Sequence, residues 1–160
     1  MKKKAPSRKS AATGFHPGLI LAPVDFSNPN KDALKQAVQL ARQYGAKLRL
    51  LHVIEPPPYP EFGYAHIAAK EARLKRVAAQ RLQELRAQAP LRSVSEVDIV
   101  IRYGRASSEI VTEAADSKAD LIVLATHGYT GLFHVLLGST AEQVVRGAPC
   151  PVWVERTGNK

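Results

Sequence analysis

The sequence predicts a single α/β domain built on an open five-stranded parallel sheet with helices on both faces. Three observations carry this. Short apolar runs too brief for helices recur along the chain, and the clearest, Leu121 to Ala125, is apolar at every position, as in a strand buried on both faces. Segments with apolar residues at helical spacing alternate with these runs, giving five strands and four helices. Each helical crossover returns the chain in the same direction, so the strands are expected to be parallel and the connections right-handed. The 160 residues, 45% of them hydrophobic, suit one domain with a substantial core.

Residues 1–17 are expected to form a disordered basic tail, residues 18–156 the domain, and residues 157–160 a short C-terminal tail. Of the formal charge of +9, Lys2, Lys3, Lys4, Arg8 and Lys9 supply +5 from a stretch without acids. Such a tail can attract nucleic acid or an anionic surface, or simply remain solvated. Leu19 to Val24 is the first strand, and it delivers Asp25 to its carboxyl end, the edge where open parallel sheets bind ligands. Asn28 is expected to cap the first helix and Pro29 to be its first residue. Leu34, Ala37, Val38, Ala41 and Tyr44 give that helix a core face, and Gly45 stops it.

Lys47 to Ile54 is the second strand, and the prolines after Glu55 force an exposed, stiff connection. From about residue 65 to 89, Leu74, Val77, Ala78, Leu82, Leu85 and Ala89 form an apolar stripe, with Lys70, Arg73, Lys75, Arg76, Arg81 and Arg86 mostly elsewhere. Residues 96–101 are the third strand, Ser107 to Ser117 the third helix, and Pro151 to Val154 the last strand. Pro149 and Pro151 restrict that strand to a sheet edge. An exposed edge at Val152, Trp153 and Val154 invites pairing with a second copy across a two-fold axis.

After Leu121–Ala125 come Thr126, His127 and Gly128, then nine residues, then Gly138, Ser139 and Thr140. Ser139 to Glu142 has capping-box spacing, with Ser139 expected to cap the fourth helix and Glu142 to reach back. Free N–H groups and the positive end of the helix dipole make this an anion site, suited to a nucleotide's phosphates. Glu142 would repel a polyphosphate unless a cation intervened, which favours Mg²⁺ carried with the nucleotide; His127 and Arg105 are candidate countercharges. Periodicity alone leaves the strand order open. If the first and fourth strands are neighbours, Asp25 and the Gly128 loop meet at the switch point.

Over about residues 18 to 155 the chain resembles the universal stress proteins. The carriers are Leu21 to Ser27, Leu50 to Val53, Ala119 to Leu124, Thr126-His127-Gly128 with its spacing to Gly138-Ser139, and Ala148 to Val152. The resemblance implies the strand order 3-2-1-4-5, homodimerisation through the last strand and, in one branch, ATP binding. That branch carries Gly, two residues, Gly, nine residues, then Gly-Ser/Thr; here Ala125 stands at the first glycine, a difference of one methyl group. The implied ATP-binding residues are Pro23, Val24, Asp25, Val53, Ala125, Thr126, His127, Gly128, Gly131, Gly138, Ser139 and Thr140. Asp25 would face ribose or adenine, although capping the turn before Ser27 is an alternative role. Pro23, Val24 and Val53 would wall a flat base, or serve only as core.

Other chemistry is excluded by what the chain lacks. A single cysteine, Cys150, rules out an internal disulfide and a multi-cysteine zinc site. There is no P-loop lysine motif, and Gly128 and Gly131 do not complete a dinucleotide fingerprint. No nucleophile elbow occurs, and His16, His52, His66 and His134 show no metal-site spacing. Binding is therefore expected in place of catalysis, with ATP hydrolysis slow at most and no metal ligand supplied by the protein. Leu132 to Leu137 is apolar for a loop and is expected to pack on the domain, leaving some surface for a protein partner. No apolar run approaches the roughly 20 residues of a membrane span, and the tail lacks a signal-peptide core, so the chain is expected in the cytoplasm. Nucleic-acid binding ranks last for want of a reading motif; a nucleotide-free dimeric scaffold of the same family is the nearer alternative.

Overall fold

The computed structural model describes residues 14–56, 64–126 and 138–156. Strands β1 (Leu19–Pro23), β2 (Lys47–Ile54), β3 (Val97–Tyr103), β4 (Leu121–Ala125) and β5 (Val152–Glu155) form one sheet in the order β3-β2-β1-β4-β5. Every pairing is parallel. The helices are α1 (Asn28–Tyr44), α2 (Tyr64–Arg86), α3 (Ala89–Arg92), α4 (Ala106–Ser117) and α5 (Ser139–Gly147). The order expected from the resemblance is thus observed. The four-residue α3 was not expected; Pro90 falls in its first turn, where a missing N–H costs nothing.

Alternation along β1 sends side chains to two cores. Ile20, Ala22 and Val24 join Ala37, Val38 and Ala41 of α1, Leu82 of α2, and Leu48 and Leu50 of β2. Leu21 instead joins Leu51, Ile122 and Leu124 with Ile110 and Ala114 of α4 and Ala141 and Val144 of α5. Helices therefore cover both faces, which is why the central strands read as near-continuous apolar runs.

The register explains where a ligand can enter. β1 and β4 pair only at Ile20 with Leu121 and Leu21 with Ile122. Beyond that point Val24 N–H donates to Leu51 O at 2.7 Å, keeping β1 with β2, while Thr126 N–H donates to Glu155 O at 2.9 Å, keeping β4 with β5. The carboxyl ends of β1 and β4 belong to different halves of the sheet, and a crevice opens between them.

Several local expectations shift. Ser27, not Asn28, caps α1, accepting from Asn30 N–H at 3.4 Å, because Asp25 turns the chain one residue earlier. Gly45 stops α1 in the left-handed conformation, φ 65°, as expected of a glycine there. The apolar stripe of α2 is only half buried: Ala78 and Leu82 enter the core, but Leu74 and Val77 are exposed, and so is Ala89. Residues 14–17, assigned to the tail, lie against the domain, with Pro17 buried and the His16 ring edge-on to Tyr44 at 5.6 Å.

At the β2–β3 side, α4 is fastened by charge. Buried Glu113 accepts from Arg49 Nη1 at 2.9 Å and from Arg102 Nε at 2.6 Å. Asp98 takes the other arm of Arg49, and Asp116 the other arm of Arg102. The hydrogen bond to Asp98 above all raises Arg49 beyond its ordinary pKa, and that to Asp116 does the same for Arg102, so both stay charged at any physiological pH. Removing Glu113 costs both guanidinium groups their buried partner and leaves them to half-exposed Asp98 and exposed Asp116, whereas the Asp116 side chain is 61% exposed and its pairing competes with water. Glu113→Ala is expected to lose about 3 kcal/mol of stability in urea unfolding, and Asp116→Ala under about 1 kcal/mol; equal losses would contradict this weighting.

Candidate functional site

A cavity of about 280 Å³ fills the crevice at the switch point. Its β1 wall is Pro23, Val24 and Asp25; Leu51 and Val53 of β2 and Ile110 of α4 make an apolar side. Across from them stand Ala125 and Thr126 of the β4 end and Gly138 to Ala141 at the start of α5.

The β1 wall is held by a tight turn. Phe26 adopts φ 62°, a left-handed conformation that costs a side-chain-bearing residue about 1–2 kcal/mol. Its ring offsets this by packing against the core, under the Arg81 guanidinium at 4.0 Å and beside His52 at 4.9 Å between ring centres. The turn lets Asp25 Oδ1 accept from Ser27 N–H at 2.9 Å and from Ser27 Oγ at 2.7 Å. Asn30 Nδ2 donates to Pro23 O at 2.8 Å, and His52 Nδ1 lies 2.6 Å from Val24 O. A carbonyl only accepts, so Nδ1 carries the His52 proton. Asp25 therefore performs the turn-capping role while also lining the cavity.

The opposite wall departs from the capping box. Gly138 is the N-cap of α5 and offers no side-chain cap; Ser139 is the first helical residue. The Glu142 carboxylate does not reach back but accepts from Arg146 at 2.8 Å, because i,i+4 pairing satisfies both charges along the exposed helix face. Ser139, Thr140 and Ala141 thus present first-turn N–H groups without a side-chain cap, beside the cavity they line. Gly138 N–H is spent on Thr126 O at 2.8 Å, which closes the base of the intervening loop.

Asp25 and Glu55 bring carboxylates to the lining, and among the described residues no lysine or arginine joins them. Glu55 accepts from Ala106 N–H at 2.8 Å and so caps α4. Arg105, a candidate countercharge, is exposed on the N-cap of α4 and is not part of the lining. With the start of α4 engaged by Glu55, the uncapped start of α5 is the positive feature left open in the described lining, and an intervening cation would complement the carboxylates.

Pro23, Val24, Asp25, Val53, Ala125, Thr126, Gly138, Ser139 and Thr140 are brought together from four segments. His127, Gly128, Gly131 and the apolar stretch 132–137 lie outside the described residues. Sequence reasoning missed Asn30, Leu51, Glu55, Ala106, Ile110, Leu124 and Ala141. Strand periodicity contains the signal for Leu51 and Glu55, which flank Val53 at intervals of two. Nothing local marks Ile110, whose role depends on where α4 docks.

The model of the universal stress protein family matches residues 18–156. The chain belongs to that family. A universal stress protein of Methanocaldococcus jannaschii is 33% identical over 144 residues, 88% of this chain and 83% of its own length. The solved universal stress protein UspA of Lactobacillus plantarum superposes with a TM-score of 0.77 at 30% identity, covering 86% of this chain and 97% of its own. A solved universal stress protein in complex with cAMP shares the fold at 22% identity, with a TM-score of 0.66, covering 89% of this chain and 99% of its own.

At the sheet edge of this universal stress protein, Trp153 is 42% exposed and its indole N–H donates to Glu155 Oε2 at 2.9 Å. Among the described residues there is no cluster of three metal-ligating side chains, and no helix is long and apolar enough to cross a membrane. Cys150 is partly buried, and burial, aided by the Asp120 charge, pushes its thiol above the ordinary value. A raised pKa leaves the thiol neutral at pH 7, and thiolate is the reactive form. Iodoacetamide labelling of Cys150, followed by mass spectrometry, is expected to be slower at pH 7 in the native protein than in denaturant; equal rates would show an unperturbed, accessible thiol.

Proposed function

We propose that this universal stress protein is a homodimeric ATP-binding module for stress response or signalling in the cytoplasm, with Mg²⁺ accompanying the nucleotide. The observation that carries this is the uncapped start of α5 opening into a cavity at the sheet's switch point. Gly138 strengthens it. With φ −67° and ψ 152° it sits where any residue fits, and serine or aspartate would cap better, so close approach by a ligand accounts for the glycine where backbone conformation does not.

The cavity's polarity orients the nucleotide. Leu51, Val53 and Ile110 offer a base an apolar slot, while α5 lies beyond β4, two strand spacings from β2, about 10 Å. Asp25 lies between, at the position for a ribose. The cAMP held by a protein of this fold is likewise an adenine nucleotide. Binding in place of turnover fits the lack of a P-loop lysine and of any arginine or lysine in the described lining. A nucleotide-free scaffold is the second reading, favoured by Ala125, whose position in the lining belongs to a glycine in the ATP-binding pattern.

Denaturing the purified protein and analysing the released small molecules separates the two. Adenine nucleotide is expected, and ATP with Mg²⁺ at about 100 times its Kd should add about 2.7 kcal/mol and raise the melting temperature. No released nucleotide and no thermal shift would leave the scaffold. Gly138→Val should weaken ATP binding at least about tenfold by blocking approach, with an unchanged circular dichroism spectrum; undiminished affinity would refute the phosphate position. For the dimer, Trp153→Lys places two like charges across a β5 two-fold axis and should yield monomer by light scattering. A persistent dimer would put the interface elsewhere.

A further inference from the structure

From Lys70 to Val77 every side chain of α2 is exposed except the half-buried Glu71. The Arg81 guanidinium lies over the Phe26 ring, and Ala78, Leu82 and Leu85 on the adjoining face of the helix anchor it to the core. At 1.5 Å per residue, Val77 and Leu74 stand about 6 and 10 Å from Arg81 toward the start of the helix. They are 47% and 38% exposed. Lys70, Leu74, Val77 and Arg81 follow the spacing i, i+4, i+7, i+11, so they share one face, with Arg73 at its margin.

This face is cationic without internal compensation. Glu71, the sole acid between Lys70 and Arg81, is engaged by Lys75 at 3.1 Å. Lys70, Arg73 and Arg81 make no ion pair with any described residue. A second copy of the same face would set cation against cation. Nucleic acid would pair with the charges and leave the two aliphatic side chains uncovered. An anionic membrane would find no aromatic and only two aliphatics larger than alanine between residues 70 and 81, too little apolar area for an interfacial helix.

We propose that the exposed face of α2 from Lys70 to Arg81 docks an acidic amphipathic helix of another protein. The partner's aliphatic stripe covers Leu74 and Val77, and its flanking carboxylates pair with Lys70, Arg73 and Arg81. The surface is separate from the nucleotide cavity and stands whether or not that cavity holds ATP.

The test uses the full chain and a fluorescein-labelled helical peptide of Glu, Ala and Leu with its leucines on one stripe, read by fluorescence anisotropy. Saturable binding that weakens with salt is expected. Leu74→Ser with Val77→Ser, or Lys70→Glu with Arg73→Glu, should each weaken it about tenfold or more. A peptide of the same composition with scrambled leucines should bind correspondingly worse. All these positions are exposed, and circular dichroism checks that the variants fold. No saturable binding, equal binding of the scrambled peptide, or indifference to the Leu74 and Val77 substitutions overturns the proposal. So does tighter binding, lost on the same substitutions, to phosphatidylserine vesicles or to a single-stranded oligonucleotide.

Discussion

The pairing of β1 with β4 is the constraint on which the rest depends, and one aspartate secures it. Asp120 Oδ2 accepts from Gly18 N–H at 2.8 Å and from Leu19 N–H at 2.9 Å, while Asp120 N–H donates to Leu19 O at 2.9 Å. These bonds fasten the amino ends of two strands that are far apart in sequence. With only two residue pairs beyond the clasp, the carboxyl ends are free to separate, and each joins its outer neighbour. A β-carbon at residue 18 would lie 3.4 Å from the same carboxylate oxygen, an ordinary contact, so the clasp rests on backbone N–H groups and not on the glycine.

Given that clasp, the cavity walls follow from ordinary forces. Two apolar layers hold the helices on the sheet, and the Glu113 pairs add position, tying α4 to β2 and β3 at a level where its first turns reach the cavity. Ser107 Oγ donates to Gln143 Oε1 at 2.9 Å, joining the α4 and α5 walls. Among the described residues, two side-chain-bearing positions adopt left-handed backbone: Lys118 at the end of α4, and Phe26 on the β1 wall, where ring packing offsets a cost of about 1–2 kcal/mol. The turn at Phe26 aims the Asp25 carboxylate.

Local patterns were legible where one segment settles its own fate. β4 begins and ends where its apolar run does, β2 spans the Lys47 to Ile54 segment read from the sequence, and Gly45 closes α1. Capping was harder, since several oxygens compete for the same N–H groups. Asn28 lost to Ser27, and the apparent box at Ser139 and Glu142 lost to the Glu142 pair with Arg146. In α2 the periodicity was real, but burial needs a neighbour, and the core takes only the Ala78, Leu82 and Leu85 face of the helix. Leu74 and Val77 therefore remain outside.

By itself the sequence determined the element types, the alternation that makes the sheet parallel, and most of the cavity-lining residues, because these follow from side-chain period, glycine and proline stereochemistry, and motif spacing. Tertiary structure alone decided which strand lies beside which, that Glu55 caps α4 while Gly138 leaves α5 uncapped, and that Ile110 closes the cavity. Those outcomes rest on contacts between segments dozens of residues apart. Their energies depend on distance and burial in the folded chain, which no local pattern encodes.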